Sequence, residues 1–342
     1  MKWLLALTPA AAACHLLHAP SVVVFLIAAL ALIPLAGLLG EATEELAAHV
    51  GERWGGFLNA TFGNLGELII ALVMLSAGQV ELVKLSLIGS VMGNLFLVLG
   101  CSLVVGGIRH KQLFFRAENV GPMVLTLFLA LTTMLVPTIA HTVDAQNTLE
   151  HRTTGIAFIL MAAYVLLMIF RFQQPNREAT LSVEESHEVT GHTWSKRTAL
   201  LVLAASAIAI GGVSEILVHH LDAGAHALGW SSLFVGLFVI PFVGNIAEHF
   251  VAITAAAKNR MDFSLEISVG SATQIALFVV PVLMFTAPLF GTELTLVFSP
   301  FAISAISAAI MGAWLAMHDG KSDWHEGAFL LLCGFAFAIY AF

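Results

Sequence analysis

Apolar stretches about as long as a membrane is thick recur along the whole chain, separated by short polar segments. A helix rises about 1.5 Å per residue, so about 20 apolar residues cross a hydrocarbon core of about 30 Å. The pattern predicts an all-α polytopic membrane protein with about 11 transmembrane helices. The predicted spans are residues 3–17, 21–47, 57–78, 81–106, 119–140, 153–171, 198–221, 231–257, 263–287, 292–317 and 325–341.

The composition favours the same class of protein. Hydrophobic residues make up 59% of the 342, charged residues make up 11%, and the mean hydropathy is +0.93. Soluble domains carry about 25% charged residues, so this chain has too few to cover a water-facing surface. We therefore expect the lipid bilayer as its surroundings and no nucleic-acid partner. The three cysteines lie in apolar runs, which argues against a disulfide framework or a cysteine metal site; they are Cys14, Cys101 and Cys333.

The basic residues fall mostly on one side of the predicted spans. With the N-terminus in the cytoplasm, 12 of the 14 Lys and Arg residues lie on the cytoplasmic side, and only Lys84 and Arg152 lie on the other. Because cytoplasmic loops are enriched in Lys and Arg, this split predicts a multi-pass protein of the cytoplasmic (inner) membrane in that orientation. Residues 1–13 resemble a signal peptide, but we expect them to remain as a first helix that sets the starting side.

Two polar motifs recur 181 positions later in the chain. The pairs are Gly63-Asn64-x-x-Glu67 with Gly244-Asn245-x-x-Glu248, and Gly89-Ser90 with Gly270-Ser271. A shared offset indicates an internal repeat. Beyond an extra N-terminal helix (1–20), the spans divide into two transmembrane repeats of five helices (21–172 and 198–342) around an acidic cytoplasmic linker (173–197). Because five is odd, the second half enters the membrane in the opposite direction, and the repeat is inverted.

The repeated motifs place two carboxylates at the same depth. Glu67 lies 12 residues before the predicted hairpin turn at Gln79, and Glu248 lies 11 residues before the turn at Asn259. Each stretch is about 17 Å long, which is about half of a hydrocarbon core. Both glutamates are therefore predicted near the midplane of the membrane, where ionisable residues are rare and usually functional.

Helical spacing brings further oxygen atoms to these carboxylates. Residues three or four apart share a helix face, and Gly-Asn pairs let helices approach closely or open locally. The predicted site consists of Gly63, Asn64, Glu67, Ser90, Asn94, Gly244, Asn245, Glu248, Ser271 and Gln274. Carboxylate, amide and hydroxyl oxygens suit hard cations such as Ca²⁺. One divalent ion or two protons would neutralise both glutamates, which favours exchange of the ion for protons.

The two hairpins resemble the paired signature regions of the calcium/cation antiporter superfamily, specifically its Ca²⁺/H⁺ exchanger branch. The matching stretches are NATFGN-x-x-ELIIAL with GS-x-x-x-NLFLVLG, and GN-x-AEH with GSATQIALFVVP, roughly a quarter of the chain. The resemblance implies eleven helices with the first outside the repeat. It also implies Glu67 and Glu248 as the shared ligands of cation and proton. One departure is Gly66, where the family usually has Thr or Ala, and it bears on affinity and ion choice.

These observations predict a secondary antiporter that exports Ca²⁺ from the cytoplasm against inward H⁺ by alternating access. We expect no enzymatic activity and no cofactor, since the proton gradient supplies the driving force. Three alternatives stay open: exchange of Na⁺, K⁺ or another divalent cation on the same fold, an intramembrane metallohydrolase, and a passive channel. The oligomeric state stays open too.

Several polar residues near these spans have two interpretations each. His249 faces about 100° away from Glu248 and either tunes the proton step or packs as a structural histidine. The acidic linker is either a solvated segment or a collector of cations. A non-cytoplasmic cluster either senses pH or forms a wet loop; its members are His219, His220, Asp222 and His226. Three glutamates that end or interrupt spans either border the ion path or are solvated at helix ends; they are Glu44, Glu45 and Glu215.

Overall fold

The computed structural model describes residues 2–50, 55, 58, 61–143, 149–173 and 194–342. In this part of the chain, nine helices are long and apolar enough to cross a membrane, and two shorter apolar helices accompany them. In chain order the helices are α1 (Leu7–Leu16), α2 (Ser21–Val50), α3 (Leu65–Ser76), α4 (Val80–His110), α5 (Ala117–Val143), α6 (Leu149–Gln173), α7 (Lys196–His219), α8 (Leu221–Leu228), α9 (Ser232–Ala257), α10 (Met261–Phe290), α11 (Pro300–Met317) and α12 (Trp324–Ala341). The predicted helical, multi-pass class is confirmed.

Polar residues mark the starts of several helices. The side chains of Ser195, Ser231 and Ser299 each accept a hydrogen bond from a backbone N–H three residues later. Asp323 and Glu326 form a reciprocal capping box at the start of α12. Such caps satisfy backbone donors that have no partner within the helix, so they fix where each apolar run becomes helical.

Helices α3 and α4 form one hairpin, and α9 and α10 form a second hairpin that meets it in the core. The turns are closed by residues with positive φ, Gly78 at 74° and Asn259 at 61°. Where the hairpins cross, a Cβ built on Gly89 would lie 2.1 Å from the carbonyl oxygen of Leu237. The backbones of α4 and α9 are therefore in direct contact, which only glycine permits at this position.

The second helix of each hairpin contains a turn of π-helix. These turns are Gly93–Val98 in α4 and Ile275–Val279 in α10. When the first turn is shifted by 181 residues, its bounds match those of the second to within one residue. A further π-turn, Val235–Val239, lies in α9. A π-turn changes the direction of the following side chains and often accompanies a functional site. The internal repeat thus extends from the sequence to an irregularity of the backbone.

A small sheet departs from the purely helical prediction. Strand β1 (Gln112–Phe114) follows α4 and pairs antiparallel with β2 (Lys321–Asp323), which precedes α12. The backbone N–H of Phe115 also donates to the carbonyl of Gly320 at 3.0 Å. This sheet joins a loop of the first half to a loop of the second half at one end of the bundle.

The predicted span 292–317 is helical only from Pro300 onward. The preceding residues run as an extended segment with alternate side chains buried, namely Leu294, Leu296 and Phe298. The Thr138 hydroxyl donates to the carbonyl of Leu296 and accepts from the N–H of Phe298. Apolar content alone does not distinguish a buried extended segment from a helix, which explains the wrong starting point.

Two predicted regions lie wholly or partly outside the described residues. Of the acidic linker 173–197, the structure describes only the ends, and of the span 57–78 it describes α3 and a few residues before it. The division at 1–20, 21–172, 173–197 and 198–342 therefore stays a prediction.

Candidate ion-binding site

A break in the helix positions Glu67. Residues 63–64 form a turn, and α3 begins directly after it with Glu67 in its first turn, where the helix dipole favours negative charge. In the second half, Gly244 and Asn245 lie inside the continuous helix α9. The Gly-Asn pair therefore interrupts the helix in the first half but not in the second.

Glu67 is a point of contact between the two halves. Its Oε1 accepts hydrogen bonds from the Ser90 hydroxyl, on α4 of the same half, and from the Asn245 amide, on α9 of the other half. Gly244 packs beside the same side chain, because a Cβ built there would lie 3.5 Å from Glu67 Cγ. Donors from two helices hold the carboxylate in one orientation.

Asn64 makes a second connection between the halves. Its amide nitrogen donates to Gln274 Oε1 at 2.7 Å, and its Oδ1 accepts from the Ser271 hydroxyl at 2.9 Å. The Asn94 amide nitrogen donates to Ser271 Oγ at 3.3 Å and to the Ser90 carbonyl at 3.1 Å. Helices α3, α4, α9 and α10 thus contribute to one polar network, with two helices from each half.

Glu248 brings the second carboxylate to this network. It lies beside the Ser271 hydroxyl, and the charges of Glu67 and Glu44 act on it. Three buried oxygens of this network have no hydrogen-bond donor among the described residues: Glu67 Oε2, Glu248 Oε2 and Asn94 Oδ1. An unpaired buried acceptor is costly, and carboxylate and amide oxygens are the ligands that hard cations prefer. The oxygen set therefore fits a hard cation.

The site has few charged ligands for a resident metal. Within the described part of the chain, no group of three or more His, Cys, Asp or Glu side chains is placed to hold a metal ion. Beyond the two carboxylates, the site offers only neutral amide and hydroxyl oxygens.

The fold and this geometry have counterparts among known proteins. A model of the family described as sodium/calcium exchanger protein matches residues 20–173 and 198–342. The chain belongs to the sodium/calcium exchanger family.

Relatives of this exchanger are similar along nearly their whole lengths. The Ca²⁺/H⁺ antiporter of Aphanothece halophytica is 38% identical over 335 residues, which cover 93% of this chain and 89% of the relative. The Ca²⁺/H⁺ antiporter ChaA of Bacillus subtilis is 40% identical over 326 residues, which cover 92% and 91%. The solved structure of YfkE is 35% identical, covers 98% of this chain and 97% of that chain, and superimposes with a TM-score of 0.84.

His249 of the exchanger lies outside the polar network. The residue is 6% exposed, and its ring packs at a tilt against Phe242, with centroids 5.9 Å apart. Its Nδ1 has no hydrogen-bond partner among the described residues. The side chain therefore has an apolar neighbour on one side, and its role in proton coupling stays a prediction.

The end of α2 lies nearer to the site than spacing along the chain indicates. The Glu44 charge acts on Glu248, and the buried Glu45 accepts a hydrogen bond from the Trp194 N–H at 2.9 Å. The signal in the sequence was an acidic cluster at the end of a long apolar helix, but the sequence does not place it against Glu248.

At Gly66, a Cβ would meet Leu39 Cδ2 at 3.7 Å, so a small side chain fits there.

Proposed function

We propose that this exchanger moves Ca²⁺ out of the cytoplasm in exchange for inward H⁺. The observation that carries the proposal is a pair of half-buried glutamates, one from each half, beside one shared network of amides and hydroxyls. Each keeps one buried oxygen that has no donor among the described residues. Two relatives named Ca²⁺/H⁺ antiporters, 38% and 40% identical over nearly their full lengths, support the same conclusion.

The mechanism follows from charge balance at Glu67 and Glu248. With Ca²⁺ bound, both carboxylates are ionised and the site is neutral. Without the ion, two protons neutralise the site equally well. An empty, doubly charged site is costly inside a membrane, because isolated buried charges lose their hydration. Only the loaded forms then change access from one side to the other, so ion and protons move in opposite directions.

Access alternates when the two inverted halves move relative to each other around the shared network. We place the protein in the cytoplasmic membrane with its N-terminus in the cytoplasm, because 12 of its 14 basic residues then fall on the cytoplasmic side. The proton gradient drives the cycle, so we expect neither a cofactor nor chemical conversion of a substrate.

The proposal is tested by pH-gradient-driven ⁴⁵Ca²⁺ uptake into proteoliposomes. We expect Glu67→Gln and Glu248→Gln each to reduce uptake to the level of protein-free liposomes, because an amide neither titrates nor supplies a charged ligand. Glu81→Gln is the matched control and keeps parental uptake, since Glu81 is exposed and pairs with Lys84 near a hairpin turn. Full uptake by either site variant would remove that glutamate from the mechanism.

The same assay tests whether Na⁺, rather than H⁺, is exchanged for Ca²⁺. The family as a whole is named for sodium and calcium, so a Na⁺ gradient is the relevant comparison. We expect a Na⁺ gradient at equal pH to drive no uptake. Uptake that depends on Na⁺ and ignores the pH gradient would overturn the proton part of the proposal.

A further inference from the structure

We propose that Gln274 is a positioning residue that makes the exchanger favour one of its two access states. It does so by accepting a hydrogen bond from Asn64 in the state of this structure, whereas the mirrored state has no equivalent bond. The inference rests on the alternating-access function proposed above.

The two halves differ in conformation although they share their motifs. Asn64 lies in a turn and bonds Ser271 and Gln274, whereas its equivalent Asn245 lies within a helix and bonds Glu67. An inverted repeat with two different halves has a partner state in which each half adopts the conformation of the other. Because the halves are inverted, this exchange moves the opening of the site to the opposite face of the membrane.

Most of the hydrogen bonds survive this exchange. Shifting each participant by 181 residues gives the bonds of the mirrored state, which run from Ser271 and Asn64 to Glu248, and from Ser90 to Asn245. Each of these positions carries the required donor and acceptor. The core of the network is therefore equally available to both states.

The bond from Asn64 to Gln274 has no counterpart. Its mirrored form would join Asn245 to position 93, which is Gly93 and has no side chain. The bond from Asn94 to Ser271 is one-sided in the same way, because the equivalent of Asn94 is Ile275. The described state thus keeps two side-chain bonds that its mirror image lacks. Gln274 holds the stronger of them, at 2.7 Å against 3.3 Å.

Substitutions at the two equivalent positions, Gln274 and Gly93, test this bias. Gln274→Leu keeps the bulk but removes the acceptor, so we expect a shift toward the mirrored state. Gly93→Gln supplies the missing partner of Asn245 and shifts the balance in the same direction; a Cβ at Gly93 meets no atom within 4 Å, so the side chain can leave the backbone without a clash. A net hydrogen bond of ordinary strength changes a population ratio about two- to tenfold.

Distances between spin labels measure the populations without any transport assay. One label pair, at Arg109 and Lys258, reports on the end of the bundle where His110 bonds the Ala257 carbonyl at 3.0 Å. A second pair, at Ala77 and Leu289, reports on the opposite end. Double electron–electron resonance is recorded in Ca²⁺-free proteoliposomes on a background free of the native cysteines, which are Cys14, Cys101 and Cys333.

Gly93→Leu is the matched control, because it adds similar bulk without an amide and should leave the distance distributions unchanged. The proposal is overturned if Gln274→Leu and Gly93→Gln both leave the distributions unchanged, or if Gly93→Leu reproduces the effect of Gly93→Gln. A protein that fails to transport Ca²⁺ but shows these shifts would contradict the proposed function and leave the role of Gln274 intact.

Discussion

Gly89 and Gly270 are equivalent positions in the two hairpins, but they meet different neighbours. A Cβ on Gly89 would lie 2.1 Å from the carbonyl oxygen of Leu237 and 2.7 Å from its Cα, all backbone atoms. A Cβ on Gly270 would meet the side chain of Glu266 at 3.4 Å and nothing closer. The same residue in the same motif is thus required for close helix packing in one half and replaceable in the other.

We therefore expect Gly89→Ala to destabilise the protein by about 1–3 kcal/mol or more, because the backbone of α9 has to move away from α4. Gly270→Ala is the mirrored control, and we expect a change within about 1 kcal/mol, since alanine also favours the helix. Thermal unfolding of the purified variants in detergent measures both. Equal stability of the two variants would contradict the conclusion that close packing requires glycine at position 89 but not at position 270.

At the scale of elements, histidines attach the N-terminal helix to the second half. His15 Nδ1 lies 3.0 Å from His220 Nε2, and His220 Nδ1 lies 3.2 Å from the Ser21 hydroxyl. The rings of His15, His219 and His220 contact one another edge-on, with centroids 4.9 to 5.5 Å apart. The helices α1, α2 and α7 therefore meet in a cluster of imidazoles at one end of the bundle.

Partial burial and the neighbouring rings of His219 and His15 lower the pKa of His220. The unfolded chain then binds more protons than the folded one near pH 6.5 and below, so the contribution of this contact to stability falls as the pH falls. We expect His220→Gln to lower the melting temperature at pH 7.5 through the loss of a hydrogen bond of about 1 kcal/mol. At pH 5.5 we expect a smaller difference from the parent.

The control for this prediction is His226→Gln, because His226 is exposed on α8. We expect that variant to follow the parent at both pH values. If the difference in melting temperature between the parent and His220→Gln were larger at pH 5.5 than at pH 7.5, the predicted direction would be contradicted.

The sequence predicted which helices exist better than it predicted where their side chains meet. Apolar runs of about 20 residues and capping serines are local signals, so most spans were evident. The contact of His15 with His220 joins residues 205 positions apart. It depends on how α1 rotates about its own axis, which a nearly uniform apolar helix does not encode. The extended segment before Pro300 was missed because buried strands and helices have similar apolar content.

At the scale of the whole molecule, the repeat made the convergence of the two halves predictable, but not their conformation. The 181-residue offset and the odd number of spans indicated four helices meeting near the midplane. The asymmetry between Asn64 and Asn245 was not predictable, because both access states satisfy the same sequence pattern. The bonding of Glu67 to both Ser90 and Asn245 belongs to one state, and a repeated motif carries no information on which state is populated.

The charge of the site also determines how the whole molecule responds to membrane voltage. If Glu67 and Glu248 are the groups that exchange, the site is neutral with one Ca²⁺ and neutral with two protons. If each cycle instead moved one net charge across the membrane, a potential of 100 mV would supply about 2.3 kcal/mol per cycle. That energy changes the accumulation ratio of Ca²⁺ about 50-fold. We expect pH-driven uptake to change less than about twofold when K⁺ and valinomycin clamp the potential at 0 or about −100 mV. Accumulation driven by voltage alone would indicate a third titrating group, and Glu44, whose charge acts on Glu248, is then the first residue to replace with glutamine.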